Sequence, residues 1–429
     1  MQIKNIHARQ ILDSRGHPTV EVDLITTDNK LYRSSVPSGA STGSREALEL
    51  RDMSKLFNGY GVLKAISNIN EIITPSLIGK DPLQHEMLDQ LMIDMDGTSN
   101  KSNIGANATL AVSEALIKAA AGSMNLPIYK YIHDKYCSNQ EYILPVPCMN
   151  MMNGGKHALN SSDFQEYMLI PFASTYKEAI ETSAKVFYAV KNILLRRNLS
   201  TLVGDEGGFA PVVSSNRAPL EILCEGIESA GYKVGEHFGF AMDPAASSFV
   251  KEDINSFSYQ LKCENMLLNE DEMISYYEDM INAFPIVSLE DGMSENNWNG
   301  WKKLKNKIDI QIVGDDLFVT NIKLIKKGHE LNCANAVLIK PNQIGTIKET
   351  IDAIQLAKSY NWHCMISHRS GETEDSFISD LAVGMNVMQQ KSGSLSRSER
   401  LAKYNQLLRI EEELGTFAQY KGKNSFKIN

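Results

Sequence analysis

Five short apolar segments recur through the second half of the chain; four end in a charged residue, and the fifth stops at His368-Arg369. They occupy residues 238–243, 286–290, 311–315, 336–340 and 364–367. Amphipathic stretches long enough to form helices lie between them, at residues 270–283, 298–307 and 347–360. This alternation, at about 25 residues per unit, predicts parallel strands joined by helical crossovers, as in a β/α barrel.

The last residues of four of these segments are Asp243, Glu290, Asp315 and Lys340. The carboxyl ends of barrel strands form one face, so these side chains are expected to converge there. An acid after a strand is also commonly a helix cap, and for any one of the three acids that role is the more common one. Three acids in register, followed by a lysine, favour a functional site.

Three ionised carboxylates within a few ångströms repel one another unless some are protonated or a cation lies between them. Carboxylate oxygens without Cys or His ligands favour Mg²⁺ over Zn²⁺. A lysine beside a divalent ion should have a lowered pKa and can act as a base. Lys340 is therefore suited to abstracting a proton next to a metal-bound carboxylate.

The first third of the chain has a different pattern. Residues 3–12, 19–25 and 31–36 predict an antiparallel meander, and residues 44–52, 62–73, 83–94 and 105–121 predict helices, the last ended by a left-handed Gly122. The small polar loop 37–43 is either a flexible connector or a lid whose serine could ligate an ion. A polar stretch near residues 136–140 sets the predicted boundary between domains 1–137 and 138–429.

Four further features stand out in the second domain. The Gly154-Gly155 pair could present His157, and Glu166 lies near the start of a predicted strand at residues 165–170. Two acids, Asp205 and Glu206, lie in a glycine-rich turn that does not match a phosphate-binding loop. Lys391 ends another predicted strand. Residues 396–399 predict a capping box for a helix that extends to residue 414 and stops at Gly415.

Composition narrows the classes of function. A formal net charge of -9 and a pI near 5.6 argue against a nucleic-acid partner. Six scattered cysteines without a CxxC pair argue against structural zinc or a disulfide framework and are typical of a reducing compartment. We expect a cytoplasmic protein without a membrane span, because no signal peptide or long apolar run is apparent.

Several motifs together are specific for one family. They are Asp13-Ser-Arg-Gly16, Ser38-Gly-Ala-Ser-Thr-Gly43, Asn153-Gly-Gly-Lys-His157, Gly204-Asp-Glu-Gly-Gly-Phe209, Val313-Gly-Asp-Asp-Leu317, Asn342-Gln-Ile-Gly-Thr346, Ser367-His-Arg-Ser-Gly-Glu-Thr-Glu-Asp375 and Arg397-Ser-Glu-Arg-Leu-Ala-Lys403. Over essentially its whole length the chain resembles the enolases.

The resemblance implies an α/β fold in which an N-terminal α+β domain caps an eight-stranded β/α barrel. It also implies the reversible dehydration of 2-phosphoglycerate to phosphoenolpyruvate with two Mg²⁺ ions per active site, in a homodimer or an octamer built from dimers. The matching positions are Lys340, Glu206 and Glu166 for proton transfer; His157, Gln165, His368, Arg369, Ser370 and Lys391 for substrate; and Asp243, Glu290, Asp315 and Ser41 for metal.

By that resemblance, Lys340 takes the proton alpha to the substrate carboxylate, and Glu206 protonates the departing hydroxyl with help from Glu166. Arg369 and Ser370 contact the phosphate, and Lys391 contacts the carboxylate. The two metal ions would stabilise charge that develops only after the proton is lost.

The chain departs from the usual family pattern at four positions, Leu159, Ser248, Gly292 and Pro341. None of them removes a catalytic group, but they leave open a paralogue that acts on a phosphonate analogue. A second alternative is a non-catalytic binding protein that has kept the fold. Such a protein would be expected to lack a ligand or the base, and no such loss is seen.

Overall fold

An antiparallel sheet of three strands begins the chain in the computed structural model, which describes residues 1–40, 43–158, 161–253 and 256–427. The strands are β1 (Ile3–Leu12), β2 (Pro18–Thr26) and β3 (Leu31–Ser35), in that order across the sheet. Val20, Val22 and Leu24 alternate along β2 and are fully buried. The predicted meander is therefore confirmed.

Helices cover this sheet. They are α1 (Leu63–Asn68), α2 (Thr74–Leu77), α3 (His85–Asp96), α4 (Ala106–Ser123) and α5 (Ile128–Tyr136), with a π-helical turn at Ile69–Ile73 between α1 and α2. The apolar α4 packs on β2 and β3. The predicted stop at Gly122 was wrong, because α4 continues to Ser123. The left-handed residue is Asn125, with φ 54°, and asparagine tolerates this conformation because its short side chain can bond locally.

The helix predicted for residues 44–52 was also wrong. In the structure this segment has no helix, because its backbone bonds to other parts of the fold. The Ala47 N–H donates to the Gln343 carbonyl at 2.8 Å, and the Leu48 N–H donates to the Asn100 carbonyl at 2.7 Å. Tertiary pairing has overridden a favourable helical pattern. The segment thereby ties the first domain to the barrel.

The remaining strands are β4 (Tyr142–Leu144), β5 (Val146–Asn153), β6 (Glu166–Pro171), β7 (Phe238–Asp243), β8 (Val250–Asp253), β9 (Ser256–Leu261), β10 (Met266–Asn269), β11 (Ile286–Glu290), β12 (Gln311–Gly314), β13 (Ala336–Ile339), β14 (His363–Ser367), β15 (Gln389–Lys391) and β16 (Ala418–Tyr420). Eight of them close a barrel in the order β5-β6-β7-β11-β12-β13-β14-β15. The predicted eight-stranded barrel is confirmed.

The helices of this part are α6 (Tyr176–Arg196), α7 (Ala218–Ser229), α8 (Glu270–Ala283), α9 (Trp298–Lys307), α10 (Ile322–Leu331), α11 (Pro341–Ile344), α12 (Ile347–Ser359), α13 (Phe377–Gly384) and α14 (Ser398–Leu414). Buried apolar side chains of the strands, such as Val313, Ala336 and Leu338, fill the barrel interior. Among the described residues, no helix combines the length and apolar character needed to cross a bilayer.

One barrel strand runs against the others. β6 is antiparallel to both of its neighbours, β5 and β7, whereas the other barrel pairs are parallel. The five segments predicted to be parallel strands, which form β7, β11, β12, β13 and β14, are parallel, so that prediction is confirmed. The reversal has a consequence for function, because the first residue of β6, Glu166, pairs with Asp243 at the end of β7. The start of β6 thus lies on the same rim as the ends of the parallel strands.

The start of α14 corrects another prediction. Ser396 and Glu399 do not form a capping box, and no side chain caps the helix. Instead the Ser396 hydroxyl donates to the Gly207 carbonyl at 2.6 Å, which joins this segment to the loop that carries Glu206. The predicted stop is confirmed at Gly415, which has φ 53°.

The division at residues 137 and 138 remains our proposal. The helix α5 ends at Tyr136, and the next element, β4, pairs in parallel with β16 near the far end of the chain. That pairing ties the segment after residue 138 to the barrel part.

We predict that replacing Asn269 by alanine destabilises the fold by about 1 kcal/mol. The Asn269 carboxamide accepts from the N–H groups of Asp271 and Glu272, and the Glu272 carboxylate accepts from the Asn269 N–H, so a complete capping box begins α8. Calorimetry should show a lower melting temperature for Asn269→Ala than for the control Ser275→Ala, an exposed change within the same helix. Equal melting temperatures would contradict the capping role.

Candidate active site

A polar pocket opens at the barrel rim where the parallel strands end. It is lined by His157, Gln165, Glu166, Glu206, Asp243, Ala245, Asp291, Asp315, Asp316, Lys340, Ser367, His368, Arg369, Ser370 and Lys391. Eleven of the thirteen residues singled out in the sequence are in this lining. Glu290 is buried and contacts the Lys391 ammonium of that lining, and Ser41 lies outside the described residues.

The strand ends explain the gathering. Asp243, Glu290 and Lys391 are the last residues of β7, β11 and β15, and Asp315 and Lys340 directly follow β12 and β13. The parallel strands of a closed barrel bring their carboxyl ends to one face, so residues up to 148 positions apart in the sequence meet here.

Lys391 is at the centre of one acidic group. Its ammonium lies 2.8 Å from Glu290 Oε1, 3.1 Å from Asp243 Oδ2 and 3.1 Å from Glu166 Oε2. Burial lowers the pKa of this lysine, but the carboxylates of Glu166, Glu290 and Asp243 outweigh burial and hold the pKa well above its usual value. Burial and the nearby Asp243 raise the pKa of Glu290. Lys391 is therefore the cation that makes this cluster of acids tolerable.

Lys340 forms the second ion pair. Its ammonium lies 2.5 Å from Asp315 Oδ2, and the Gln343 amide donates to Asp315 Oδ1 at 2.8 Å. Burial lowers the pKa of Lys340, but the Asp315 carboxylate opposes it and the pKa is raised. The surrounding side chains therefore do not by themselves lower the pKa of Lys340, contrary to the expectation from the sequence. A lowered pKa would require a cation that competes for Asp315.

Pro341 is compatible with this arrangement. It occupies the first turn of α11, where a missing N–H is not needed, and Lys340 is extended with φ -125° and ψ 105°. The Lys340 N–H donates to the Thr320 hydroxyl at 2.9 Å. The departure from the usual family residue therefore holds the lysine at the strand end without disturbing it.

The donor groups fit a hard divalent cation. In addition to the carboxylates of Asp243 and Glu290, the site contains three further acids. Carboxylate oxygens of Asp291, Asp315 and Asp316 lie within 4.8 Å of one another. Asp291 also accepts from the N–H groups of Asp315 and Asp316 at 2.8 and 2.9 Å, which fixes that turn. The groups are carboxylate oxygens, as Mg²⁺ prefers. Sequence reasoning missed Asp291 and Asp316, although each directly follows a predicted ligand.

Two carboxyl groups and two imidazoles form another part of the pocket lining: those of Glu166, Glu206, His157 and His368. Ligand atoms of His157, Glu166 and Glu206 lie within 4.8 Å of one another, and the Asn150 amide donates to Glu206 Oε2 at 3.0 Å. Burial and the charge of Glu206 raise the pKa of Glu166 well above its usual value. Burial raises the pKa of Glu206, but His157 and His368 outweigh it and hold that pKa well below its usual value. In the protein alone Glu166 therefore keeps its proton more readily than Glu206, so a proton delivered by Glu206 must come from Glu166.

The loop that carries Glu206 depends on glycine. Gly207 has φ 82°, and a side chain there would lie 2.4 Å from the Ser396 carbonyl oxygen. Only glycine permits both that backbone conformation and that approach. The sequence interpretation of an acid held where backbone segments come close is consistent with this geometry.

The first domain supplies a residue that the sequence did not indicate. Glu46 forms a bidentate pair with Arg369, with Oε2 3.0 Å from one terminal nitrogen and Oε1 3.1 Å from the other. Asn342 accepts from the same guanidinium at 2.8 Å. The Ala40 N–H donates to the Ser370 hydroxyl at 2.7 Å, so the predicted lid begins beside the two predicted phosphate contacts.

Comparison with known proteins identifies the family. The enolase N-terminal domain model matches residues 3–132, and the enolase C-terminal TIM barrel domain model matches residues 141–429. The chain is 51% identical over 431 residues to the enolases of two Helicobacter pylori strains and 50% identical to the enolase of Helicobacter acinonychis. Each alignment covers 100% of this chain and 99% of the relative. Because the models and the relatives match along the chain, it belongs to the enolase family of carbon–oxygen lyases.

Proposed function

We propose that the protein catalyses the Mg²⁺-dependent, reversible dehydration of 2-phosphoglycerate to phosphoenolpyruvate. The observation that carries this proposal is that Lys340 and the carboxyl groups of Glu166 and Glu206 line one pocket. Further carboxylates, among them Asp243 and Asp315, line the same pocket. The lysine and the carboxyl pair are the groups required to remove a proton from one carbon and to protonate a leaving hydroxyl on the next carbon.

The substrate is a multiply charged anion, and the pocket offers fixed positive charge to it. Arg369 presents a planar guanidinium that suits phosphate oxygens, with Ser370 beside it. Lys391 would contact the substrate carboxylate. His157, Gln165 and His368 line the remaining wall. Phosphate binding requires Arg369 to share or exchange its contact with Glu46, so binding and the position of the first domain are coupled.

Asp243, Glu290 and Asp315 would hold the first Mg²⁺, and Ser41 would help to hold the second. Bound there, the two ions would offset the negative charge that collects on the substrate carboxylate and phosphate during the reaction. A cation that draws Asp315 away from Lys340 would also leave this lysine free to lose its proton.

The chemistry then needs two proton movements. Neutral Lys340 takes the proton from the carbon next to the carboxylate, and the electron pair moves towards that carboxylate. As the carbon–carbon double bond forms, the bond from the neighbouring carbon to its hydroxyl breaks. Burial and the charge of Glu206 raise the pKa of Glu166, so Glu166 holds the proton and passes it to Glu206. Glu206 then gives that proton to the departing oxygen, so that water leaves.

The loop of residues 37–43 is proposed to close over the bound substrate. One end of this loop is anchored, because the N–H groups of Ser38 and Gly371 each donate to the other's carbonyl, at 2.7 and 2.9 Å. Closure would exclude water from a step that itself releases water.

The phosphonate alternative has little support among the described residues. A side chain at Gly292 would lie 3.0 Å from Leu289 and 3.1 Å from Leu304, away from the pocket lining, and Pro341 leaves Lys340 in place. Leu159 lies outside the described residues. We expect kcat/KM to favour 2-phosphoglycerate strongly over a phosphonate analogue in a side-by-side assay. The reverse preference would select the paralogue.

Assembly and location also remain proposals. The family suggests a homodimer or an octamer built from dimers, and light scattering on the purified protein would distinguish the two. The cytoplasmic location stays a prediction from the sequence.

The first catalytic prediction separates the base from the acid. Lys340→Ala should reduce exchange of the alpha proton with deuterated water by about a thousandfold or more, since this change removes the proposed base. Glu206→Gln should retain the exchange and lose formation of phosphoenolpyruvate, followed at 240 nm. Lys302→Ala, which replaces an exposed lysine on α9, is the matched control. Normal exchange in Lys340→Ala would remove Lys340 from the base role.

The second prediction concerns the metal. Chelation with EDTA should abolish turnover, and Mg²⁺ should restore it. In Asp243→Asn one anionic ligand is lost, so about tenfold or more Mg²⁺ should be needed for half-maximal rate, with weaker Mg²⁺ binding by calorimetry. Asp279→Asn, an exposed change on α8, is the control. An unchanged Mg²⁺ requirement in Asp243→Asn would exclude that residue as a ligand.

A further inference from the structure

Arg400 is a fully buried arginine on α14 that contacts two segments of the candidate site. One terminal nitrogen donates to His368 Nδ1 at 2.6 Å and to the Arg369 carbonyl at 2.5 Å. The other donates to the Ser370 carbonyl at 2.6 Å and to the Asp205 carbonyl at 2.9 Å. A single guanidinium therefore joins the segment with the predicted phosphate contacts to the segment that carries Glu206.

The contact with His368 fixes the chemistry of that ring. A guanidinium has five N–H donors and no acceptor, so His368 Nδ1 must act as the acceptor and cannot carry a proton. In the neutral ring the proton is then on Nε2. A second proton on the ring would place two donors opposite each other inside a buried site, which is costly. His368 is thus held in one tautomer by its neighbour.

The other ring nitrogen faces the acid pair. His368 Nε2 lies 3.5 Å from Glu206 Oε2, and that oxygen also accepts from Asn150. This nitrogen is buried and has no close hydrogen-bond partner among the described residues, and its N–H is directed towards Glu206. Burial and the positive charge of Arg400 act together to lower the pKa of His368 to about 4, although Glu206 opposes them. Burial and the contact with Arg400 thus both favour the neutral ring.

We propose that Arg400 is a positioning residue that holds His368 as its Nε2–H tautomer, so that the ring donates a hydrogen bond to Glu206 when that carboxyl becomes ionised. The inference rests on the proposed function, since it concerns the step in which Glu206 gives its proton to the leaving hydroxyl oxygen. The carbon–oxygen bond breaks, water forms, and the charge left on Glu206 is stabilised by the Nε2–H donor. Abstraction of the alpha proton by Lys340 does not involve this donor.

The surrounding charges indicate that the shape of the Arg400 guanidinium matters as well as its charge. The only carboxylate near its remaining nitrogen, within the described residues, is Glu399, at 3.3 Å from Nε. A lysine at this position would keep the charge but could not reach the imidazole and three carbonyl oxygens together. Arg400→Lys therefore keeps the positive charge but removes the planar set of N–H donors, so it tests the geometry of the contact separately from its charge.

The first test needs no turnover. Protein with ¹⁵N-labelled histidine should give long-range proton–nitrogen correlations for a His368 ring that is protonated at Nε2 and unprotonated at Nδ1 from pH 6 to pH 9. The signal is assigned by its loss in His368→Gln. A ring that carries its proton on Nδ1, or one that titrates near pH 6.5, would overturn the inference. If 2-phosphoglycerate were not turned over at all, this measurement would still decide the tautomer.

The second test separates positioning from general support of the fold. In folded Arg400→Lys, dehydration should fall roughly tenfold to a hundredfold, the size expected for a hydrogen bond to a charged group, while alpha-proton exchange stays within about threefold. A structural role alone would reduce both by the same factor, and that result would overturn the inference.

A double-mutant cycle completes the test. In the His368→Gln background, adding Arg400→Lys should cost less than about threefold in dehydration, because the arginine acts through the histidine. Additive losses in the two backgrounds would show that Arg400 acts by another route and would overturn the inference.

Discussion

Buried carboxylates cannot share a barrel mouth without positive charge among them, and the candidate site is built around that constraint. Glu166, Asp243 and Glu290 meet at the Lys391 ammonium, and Asp315 pairs with Lys340. Removing either lysine would leave anions in a low-dielectric site, at a cost that exceeds the worth of an ordinary surface ion pair. Four carboxyl groups share two ammonium groups here, so the site remains suited to a further cation.

The reversed strand β6 resolves a geometric problem. A base and an acid must face the same substrate from opposite walls, yet parallel strands supply only their carboxyl ends to the rim. Because β6 runs the other way, its first residue, Glu166, reaches that rim beside Asp243. The adjoining glycine-rich loop then places Glu206 next to it. The barrel thus places the proposed metal ligands and the proposed base at the ends of its parallel strands and the proposed acid pair around its one reversed strand.

The first domain takes part in the site rather than only covering it. The segment after the proposed lid is held to the barrel by the hydrogen bond from Ala47 to Gln343, and it delivers Glu46 to Arg369. The backbone there bonds across the domain boundary instead of within a helix. Movement of the proposed lid would therefore be linked to exchange of the proposed phosphate contact at Arg369.

The sequence by itself determined the strand ends and the types of chemical group they carry. Apolar segments ending in Asp243, Glu290 and Lys340 predicted the barrel strands, because buried strands read as short apolar runs and their polar ends are local features. The family motifs also indicated most of the residues that line the pocket, because each motif is a short stretch that can be recognised locally.

Only the tertiary structure decided which groups are partners. The local pattern of residues 44–52 favours a helix, but bonds to distant backbone replaced it, and the capping box expected at Ser396 gave way to a bond with Gly207. The direction of β6, the pairing of Lys391 with three acids and the link from Arg400 to His368 depend on contacts between residues far apart in the chain. Local periodicity carries no information about such contacts, because they exist only once the barrel has closed.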